Sequence, residues 1–270
     1  MTNLQRLNAI SKILKKIVYH PISLFLVLKD ESEYINYLKR KYGITQFPTV
    51  EISNFFTDAT INHYTYLDGT SLVTDLALIK SIASAMPNCN YLEIGTWRGE
   101  SILNIADTGA QCTSISLSPL QIIDMGINEK YAQICGCLIP LNSKINRIYE
   151  NSLEFDFSTL GSKYDLIFVD ADHTYAAVKS DTENVFKLIK DENSVIIWHD
   201  YAFNPETPRH SVIAAILDGL PIEEHKYLYH VSNTMCAIYT KQKFETYQLD
   251  TPQKPNSIFE VSIKVKPIIH

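Results

Sequence analysis

Two groups of acids and histidines stand directly after continuous apolar runs of the sequence. They are Asp170, Asp172 and His173 after Leu166–Val169, and His199 and Asp200 after Val195–Trp198. Carboxylates and imidazoles can accept protons near neutral pH, and they can also bind divalent metal ions. Capping of a helix accounts for one acid, but it leaves a second carboxylate and a histidine without a role. The pattern therefore predicts a site for proton transfer, with or without a metal ion.

The apolar runs themselves are typical of strands buried in a parallel sheet. The predicted strands are Tyr91–Ile94, Cys112–Leu117, Ile145–Glu150, Leu166–Val169 and Val195–Trp198. The predicted helices are Leu72–Ala83, Ser101–Ala106, a segment near Leu120–Ile127, Ala176–Ile189 and Ser211–Leu217. This alternation predicts a doubly wound α/β fold, in which ligands bind beyond the carboxyl ends of the strands. The two groups of side chains should therefore face one cleft.

A glycine-bearing turn follows the strand Tyr91–Ile94. Glu93 lies near the end of this strand, and Gly95 and Gly99 begin and end the turn. Gly95 can adopt positive φ and let a ligand approach the backbone, whereas Gly99 can let helix and strand pack closely. A glycine after the first strand is also common for packing alone, so both interpretations stay open. The nicotinamide-binding pattern Gly-x-Gly-x-x-Gly is absent from the turn.

These tracts resemble a known family. The turn Glu93-Ile-Gly-Thr-Trp-Arg-Gly99 resembles motif I of class I S-adenosylmethionine (SAM) methyltransferases, in the form seen in catechol O-methyltransferase-like enzymes. The tracts Asp170-Ala-Asp-His-Thr-Tyr175 and His199-Asp-Tyr201 are similar to a bacterial branch of that class, which includes small-molecule and sugar O-methyltransferases. The resemblance covers about Asp68–Thr240. It implies a Rossmann-like, mostly parallel sheet of seven strands with a C-terminal antiparallel hairpin.

The resemblance also implies roles for single residues. The residues expected to contact SAM are Glu93, Gly95, Thr96, Trp97, Gly99, Ser118, Asn151, Ser152 and Asp170. The residues expected to hold a divalent metal ion, where one binds, are Asp170, His199 and Asp200. His199 replaces an acid or amide of the family, and imidazole suits softer metals than Mg²⁺, so the presence of a metal stays open. Ser116 or Ser118 stands where the family has a ribose-binding acid.

The expected reaction is in-line transfer of the SAM methyl group to a hydroxyl of a small molecule or saccharide. His173 is the expected general base, because a neutral imidazole accepts a proton near cellular pH. Asp172 or Asp170 would orient it. Two alternatives stay open: an N-methyltransferase of the same fold, and a catalytically degenerate methyltransferase-fold protein that serves as a binding or scaffold subunit.

Composition limits the class of protein. The chain has 270 residues, of which 46% are hydrophobic, enough for one α/β domain with additions at its ends. A net charge of −6 argues against a nucleic-acid partner. The five cysteines are odd in number and scattered, which is typical of reduced cytoplasmic proteins, and we expect Cys135-Gly-Cys137 to be packing rather than a metal site.

We divide the chain into an N-terminal helical and irregular extension (1–67), a methyltransferase domain (68–240) and a C-terminal strand-like extension (241–270). The apolar run Ile17–Leu28 is too short to span a bilayer, although nearby lysines leave contact with an anionic membrane surface open. The segment 44–67 has no clear period and is expected to lie over the active-site mouth. The alternation in 257–266 predicts a strand, either a sheet extension or a homodimer contact.

Overall fold

The computed structural model describes residues 21–268, with side chains from residue 31 onward. The chain divides into two units, with the boundary between Thr45 and Gln46. In the first unit, helix α1 spans Pro21–Lys41 and is followed by Gly43, whose φ of 72° ends the helical path. The part of the apolar run Ile17–Leu28 that precedes Pro21, with the nearby lysines and the membrane contact left open above, lies outside the described residues. No helix within the described residues has the length and apolar content required to cross a bilayer.

The second unit contains an eight-stranded sheet in the order β1-β9-β10-β6-β5-β2-β3-β4. Its strands are β1 (Thr49–Val50), β2 (Asn90–Ile94), β3 (Gln111–Ser116), β4 (Asn146–Tyr149), β5 (Leu166–Val169), β6 (Val195–Trp198), β9 (Leu228–Val231) and β10 (Ala237–Tyr239). All neighbouring strands are parallel except β10, which is antiparallel to β6 and β9. A separate antiparallel pair is formed by β7 (Ala202–Asn204) and β8 (Thr207–Pro208).

Six helices accompany the strands in this unit. They are α2 (Val73–Ala85), α3 (Glu100–Ala106), α4 (Pro119–Asp124), α5 (Glu129–Ile134), α6 (Tyr175–Phe186) and α7 (His210–Gly219). Helix α2 buries the apolar face formed by Leu76, Ile79 and Ile82 against the sheet core. The strand–helix alternation confirms the predicted doubly wound α/β fold.

The order of the strands places a topological switch between β2 and β5. From β2 the chain proceeds outward through β3 and β4, and then it returns to the other side of β2 to form β5 and β6. At the carboxyl edge the register is continuous, since Asp170 N donates to Ile94 O at 2.8 Å and His199 N donates to Val169 O at 3.0 Å. Ligands of open α/β sheets bind at such a switch point. Residues following β2, β5 and β6 therefore lie side by side there.

Two details of the sheet differ from the prediction. The sheet has eight strands rather than seven, because Thr49–Val50 in the segment expected to be irregular pairs with β9. A strand of two residues is too short to produce a detectable alternation. The helix predicted near Leu120–Ile127 is the shorter α4, which ends before Gly126 with its φ of 79°, and α5 follows at Glu129–Ile134.

The strand predicted at 257–266 does not extend the sheet of this chain, whereas the homodimer contact stays a prediction. Residues 253–268 contain no helix or strand, and Ile258 and Val265 are 96% and 94% exposed. The alternation of apolar and polar residues is present, but a strand also needs a partner for its backbone groups. In the described chain this segment pairs with no strand.

Candidate active site

The ends of β5 and β6 bring three predicted residues together. Nδ1 of His199 lies 3.0 Å from Oδ1 of Asp170 and 3.4 Å from Oδ2 of Asp200. The His199 side chain is 7% exposed, whereas the two carboxylates are 23% and 29% exposed. The cluster is therefore reachable from one side, through its carboxylates. Asp200 has a φ of 56°, and Nη2 of Arg209 approaches its Oδ1 at 3.4 Å.

A fourth residue of the cluster, Asp75, lies on the other side of the imidazole. Oδ2 of this fully buried residue is 3.1 Å from Nε2 of His199 and accepts a hydrogen bond from Leu72 N at 2.8 Å. Oδ1 accepts from Met235 N at 2.9 Å. Asp75 therefore joins the first turn of α2, the turn before β10 and His199. It also caps α2.

Burial and charge oppose each other in this cluster. Burial alone lowers the pKa of His199, but the carboxylates of Asp170, Asp200 and Asp75 raise it well above its ordinary value. Burial raises the pKa of Asp170, and the contact with His199 opposes this rise. Three carboxylates therefore share one imidazole and one arginine as their charged partners.

A metal ion fits the exposed side of this cluster. Within residues 31–268, Asp170, His199 and Asp200 are the group of acids, histidines and cysteines whose ligand atoms all lie within 4.8 Å of one another. Nδ1 of His199 is buried and faces carboxylate oxygens of Asp170 and Asp200, at 3.0 and 3.4 Å. It therefore remains available as a ligand atom. One imidazole and two carboxylates suit ions softer than Mg²⁺.

The turn after β2 is held from within by Glu93. Glu93 is fully buried, and its carboxylate accepts hydrogen bonds from Tyr91 Oη at 2.8 Å and from Thr96 Oγ1 at 2.7 Å. Burial raises its pKa to about 7, although these hydrogen bonds oppose the rise. Thr96 Oγ1 also lies 2.6 Å from Ser114 Oγ. Glu93 and Thr96 thus fix the shape of the turn, and the Glu93 carboxylate is occupied by protein groups.

The glycines of the turn make close protein contacts. Gly95 has a φ of 91°, and a Cβ atom there would lie 2.2 Å from the Asp170 carbonyl oxygen. Gly99 has a φ of 105°, and its Cβ would lie 2.7 Å from Cγ1 of Ile139. Both glycines therefore have the packing role that the sequence left open. Trp97 lies on the outer side, where its ring centroid is 5.7 Å from that of Tyr131.

Two residues expected to contact SAM make local hydrogen bonds. Ser118 caps α4, since its hydroxyl accepts from Gln121 N at 3.2 Å and its own N–H donates to Gln121 Oε1 at 2.8 Å. Asn151, which follows β4, accepts from Leu153 N through Oδ1 at 3.2 Å. Ser152 lies beside the buried Asp181, whose pKa burial raises to about 6.

The two residues assigned to proton transfer lie just before α6, which Thr174 caps. His173 is exposed. Asp172 accepts hydrogen bonds from Thr174 N at 2.9 Å and from Thr174 Oγ1 at 3.2 Å. Asp172 therefore shapes the approach to α6, and Asp170, the other acid expected to orient His173, contacts His199 instead.

Sequence reasoning missed Asp75 and Arg209. Asp75 left a signal, because it lies three residues after Leu72 and four before Ile79, on the apolar face of its helix. An acid in such a position is costly unless a buried partner compensates it. Arg209 left no signal, since it stands in a segment without a readable period.

Residues 92–201 of the chain match the family described as "Methyltransferase domain". The match includes the turn after β2 and the ends of β5 and β6. It confirms the predicted resemblance and the predicted class of enzyme over this segment. A comparison with curated proteins finds no match.

Solved structures similar to the chain include three methyltransferases. An O-methyltransferase from Bacillus cereus, in complex with SAH, is 17% identical with a TM-score of 0.47, covering 65% of this chain and 84% of that chain. The SAH-bound methyltransferase PaMTH1 from Podospora anserina is 18% identical with a TM-score of 0.43, covering 65% and 81%. The O-methyltransferase TomG from Streptomyces achromogenes, in complex with SAM, is 15% identical with a TM-score of 0.41, covering 64% and 82%. Similarities of this size do not identify a substrate for the present chain.

Proposed function

We propose that the protein transfers the methyl group of SAM to a hydroxyl oxygen of a small molecule or saccharide. The observation that carries this proposal is the direct contact between the turn of the methyltransferase domain and the acid–imidazole cluster. Gly95 packs on the main chain of Asp170, and the side chain of Asp170 lies 3.0 Å from His199. A methyl donor beside the turn is therefore adjacent to groups that can handle an acceptor hydroxyl.

The part of the site beside the turn after β2, where the methyl donor would bind, suits a positively charged group. SAM carries a sulfonium, and the excess of carboxylates around His199 provides a negative potential at the switch point. In this proposal Thr96, Trp97 and Gly99 border the donor through the turn, while Asn151 and Ser152 border its adenosine. Glu93, Gly95 and Ser118, which the resemblance also assigns to the donor, make protein contacts as well and so fix the shape of its site.

The acceptor side is formed by Asp170, His199 and Asp200, which would hold a divalent metal ion. Such an ion, when bound, supplies Lewis-acid polarisation of the acceptor hydroxyl. The chain's own residues orient the acceptor: Asp170 adjoins the turn, and Arg209 holds Asp200 from the other side. Positioning of this kind accounts for much of the barrier reduction in a displacement between two bound reactants.

Proton removal is assigned to His173 in this proposal. The residue is exposed at the same edge of the sheet, two positions after Ala171, and can pass a proton to solvent. Asp172 keeps the chain entering α6 in place through Thr174. The proposed catalytic unit is 68–240, with 1–67 and 241–270 as extensions, acting in the cytoplasm without a nucleic-acid partner.

The test begins with binding and proceeds to turnover. Calorimetry should show saturable binding of SAM and of its demethylated product, and no heat at millimolar concentrations would refute the proposal. Transfer of radiolabelled methyl from SAM should then be measured with a panel of phenols, aliphatic alcohols, saccharides and amines, with Mn²⁺ and after EDTA. Label in a hydroxyl compound supports O-methylation, label only in amines assigns the N-methyltransferase alternative, and full activity after EDTA excludes the metal.

A further inference from the structure

The imidazole of His199 lies between one fully buried carboxylate and two partly exposed carboxylates. On the Nε2 side lies Asp75, which is fully buried and whose oxygens are both engaged by protein donors. On the Nδ1 side lie Asp170 and Asp200, which are partly exposed. Nε2 thus points to the interior of the domain, and Nδ1 points to the site.

The contact with Asp75 determines which ring nitrogen of His199 donates a hydrogen bond. An ionised carboxylate only accepts hydrogen bonds, and both oxygens of Asp75 already accept from backbone N–H groups, so Nε2 is the donor in the contact at 3.1 Å. With Nε2 as the donor, Nδ1 is the nitrogen that can offer a lone pair to a ligand. A carboxylate that orients a metal-binding histidine in this way fixes its tautomer and its ring angle.

We infer that Asp75 is a positioning residue: it holds the proton on Nε2 of His199 and turns Nδ1 toward Asp170 and Asp200, so that the three residues can bind a divalent cation. The inference rests on the proposed function for the cation itself. Asp75 does not reach the cation or the reacting atoms, and its effect passes through His199.

The chain offers a matched control for the structural role of Asp75. Thr74 Oγ1 donates to Asn233 O at 2.7 Å, so it also attaches the start of α2 to the turn before β10, and its hydroxyl proton is engaged there rather than at His199. The variants are Asp75→Ala and the milder Asp75→Asn, compared with Thr74→Val. Each is made in the wild-type background and in the His199→Ala background.

The first readout is the affinity for Mn²⁺ alone, measured by electron paramagnetic resonance without SAM. Asp75→Ala should weaken binding by about 10- to 100-fold, and Thr74→Val should leave it within about twofold. In the His199→Ala background, Asp75→Ala should cause no further loss. Unchanged affinity in a folded Asp75 variant, or an equal loss without His199, would overturn the inference. If Asp75→Ala does not fold, Asp75→Asn decides by the same criteria.

The second readout does not depend on a metal. In the metal-free protein, ¹⁵N NMR should show a slowly exchanging Nε2–H proton on His199, which is retained in Thr74→Val and lost in Asp75→Ala. A wild-type ring with no such proton overturns the inference even when Mn²⁺ binds. Conversely, absence of Mn²⁺ binding with a protected Nε2–H would refute the proposed metal and leave the positioning role of Asp75 supported.

Discussion

Two histidines of the sheet are almost equally buried, yet their surroundings differ. His199 follows β6 and contacts three carboxylates, whereas His230 lies within β9, stacks on Tyr201 at 5.1 Å and approaches Thr234 O through Nε2 at 3.2 Å. Burial lowers the pKa of His230 to about 4. At His199 the carboxylates outweigh the same effect and raise the pKa well above its usual value.

The comparison shows that burial by itself does not mark a functional histidine. His230 has neutral partners, and it serves as a packed, uncharged part of the core. His199 contacts three carboxylates, and its Nδ1 faces the two that are partly exposed, Asp170 and Asp200. Carboxylates that converge on one imidazole and keep a partly exposed side are what the proposed cation site requires.

A third histidine, His173, is exposed and is the proposed general base. We expect its substitution to have the largest effect on turnover. His173→Ala should lower turnover by about 100- to 10,000-fold, because a general base is lost, while SAM affinity measured by calorimetry should stay nearly constant. His199→Ala should instead weaken Mn²⁺ binding. Unchanged turnover in His173→Ala would assign proton removal to another group.

The next test concerns the negative charge around His199. Asp170→Asn should weaken Mn²⁺ binding by more than about 100-fold, because loss of a direct ligand exceeds the loss expected for an outer partner. The control is Asp124→Asn, which removes an exposed acid in α4. Equal Mn²⁺ affinity in the two variants would show that the cluster around His199 is an ion-pair network only.

Part of this site could be predicted from the sequence. The sequence predicts that Asp170, His199 and Asp200 lie together, because they follow continuous apolar strands and the ends of parallel strands share an edge. The structure has these three side chains in contact. The change from apolar to acidic residues marks that edge without knowledge of tertiary contacts. Gly95 likewise follows a predicted strand, Tyr91–Ile94, which predicts a turn at the same edge of the sheet.

Other features depend on contacts between distant segments, which local patterns do not reveal. Asp75 acts on a histidine 124 positions later in the chain. Asp172 has the residue type of an orienting acid, but its nearest donor is Thr174, two residues away. The alternation in 257–266 predicted a strand, and pairing was lacking. Residue type and hydrophobic period thus indicate which structures and contacts a segment can form. Which of them it forms depends on the partners that the fold brings near it.

His230 gives a test through the pH dependence of stability. The folded pKa of about 4 lies below the ordinary value of 6.5, so the unfolded chain binds the proton first as the pH falls. The stabilisation is present above pH 6.5 and is lost as the pH falls toward 4, by about 3 kcal/mol in total. Urea unfolding at pH 7.5, 6, 5 and 4 should show this extra loss in the wild type relative to His230→Gln. Parallel curves for the two proteins would contradict the neutral state of His230.

The smallest effect is expected from a comparison of two glycines with positive φ. Gly95 has a φ of 91° and faces the Asp170 main chain, while Gly109 has a φ of 85° and has no atom within 4 Å of its Cβ position. Gly109→Ala should cost about 1 kcal/mol of unfolding free energy through backbone strain alone. Gly95→Ala should cost about 2 kcal/mol more, because backbone atoms at that distance must move. The movement would also displace Asp170 from His199, so Mn²⁺ affinity should fall in Gly95→Ala and stay constant in Gly109→Ala. Equal effects on stability and on Mn²⁺ binding would separate the turn from the cluster and remove the contact on which the proposed function rests.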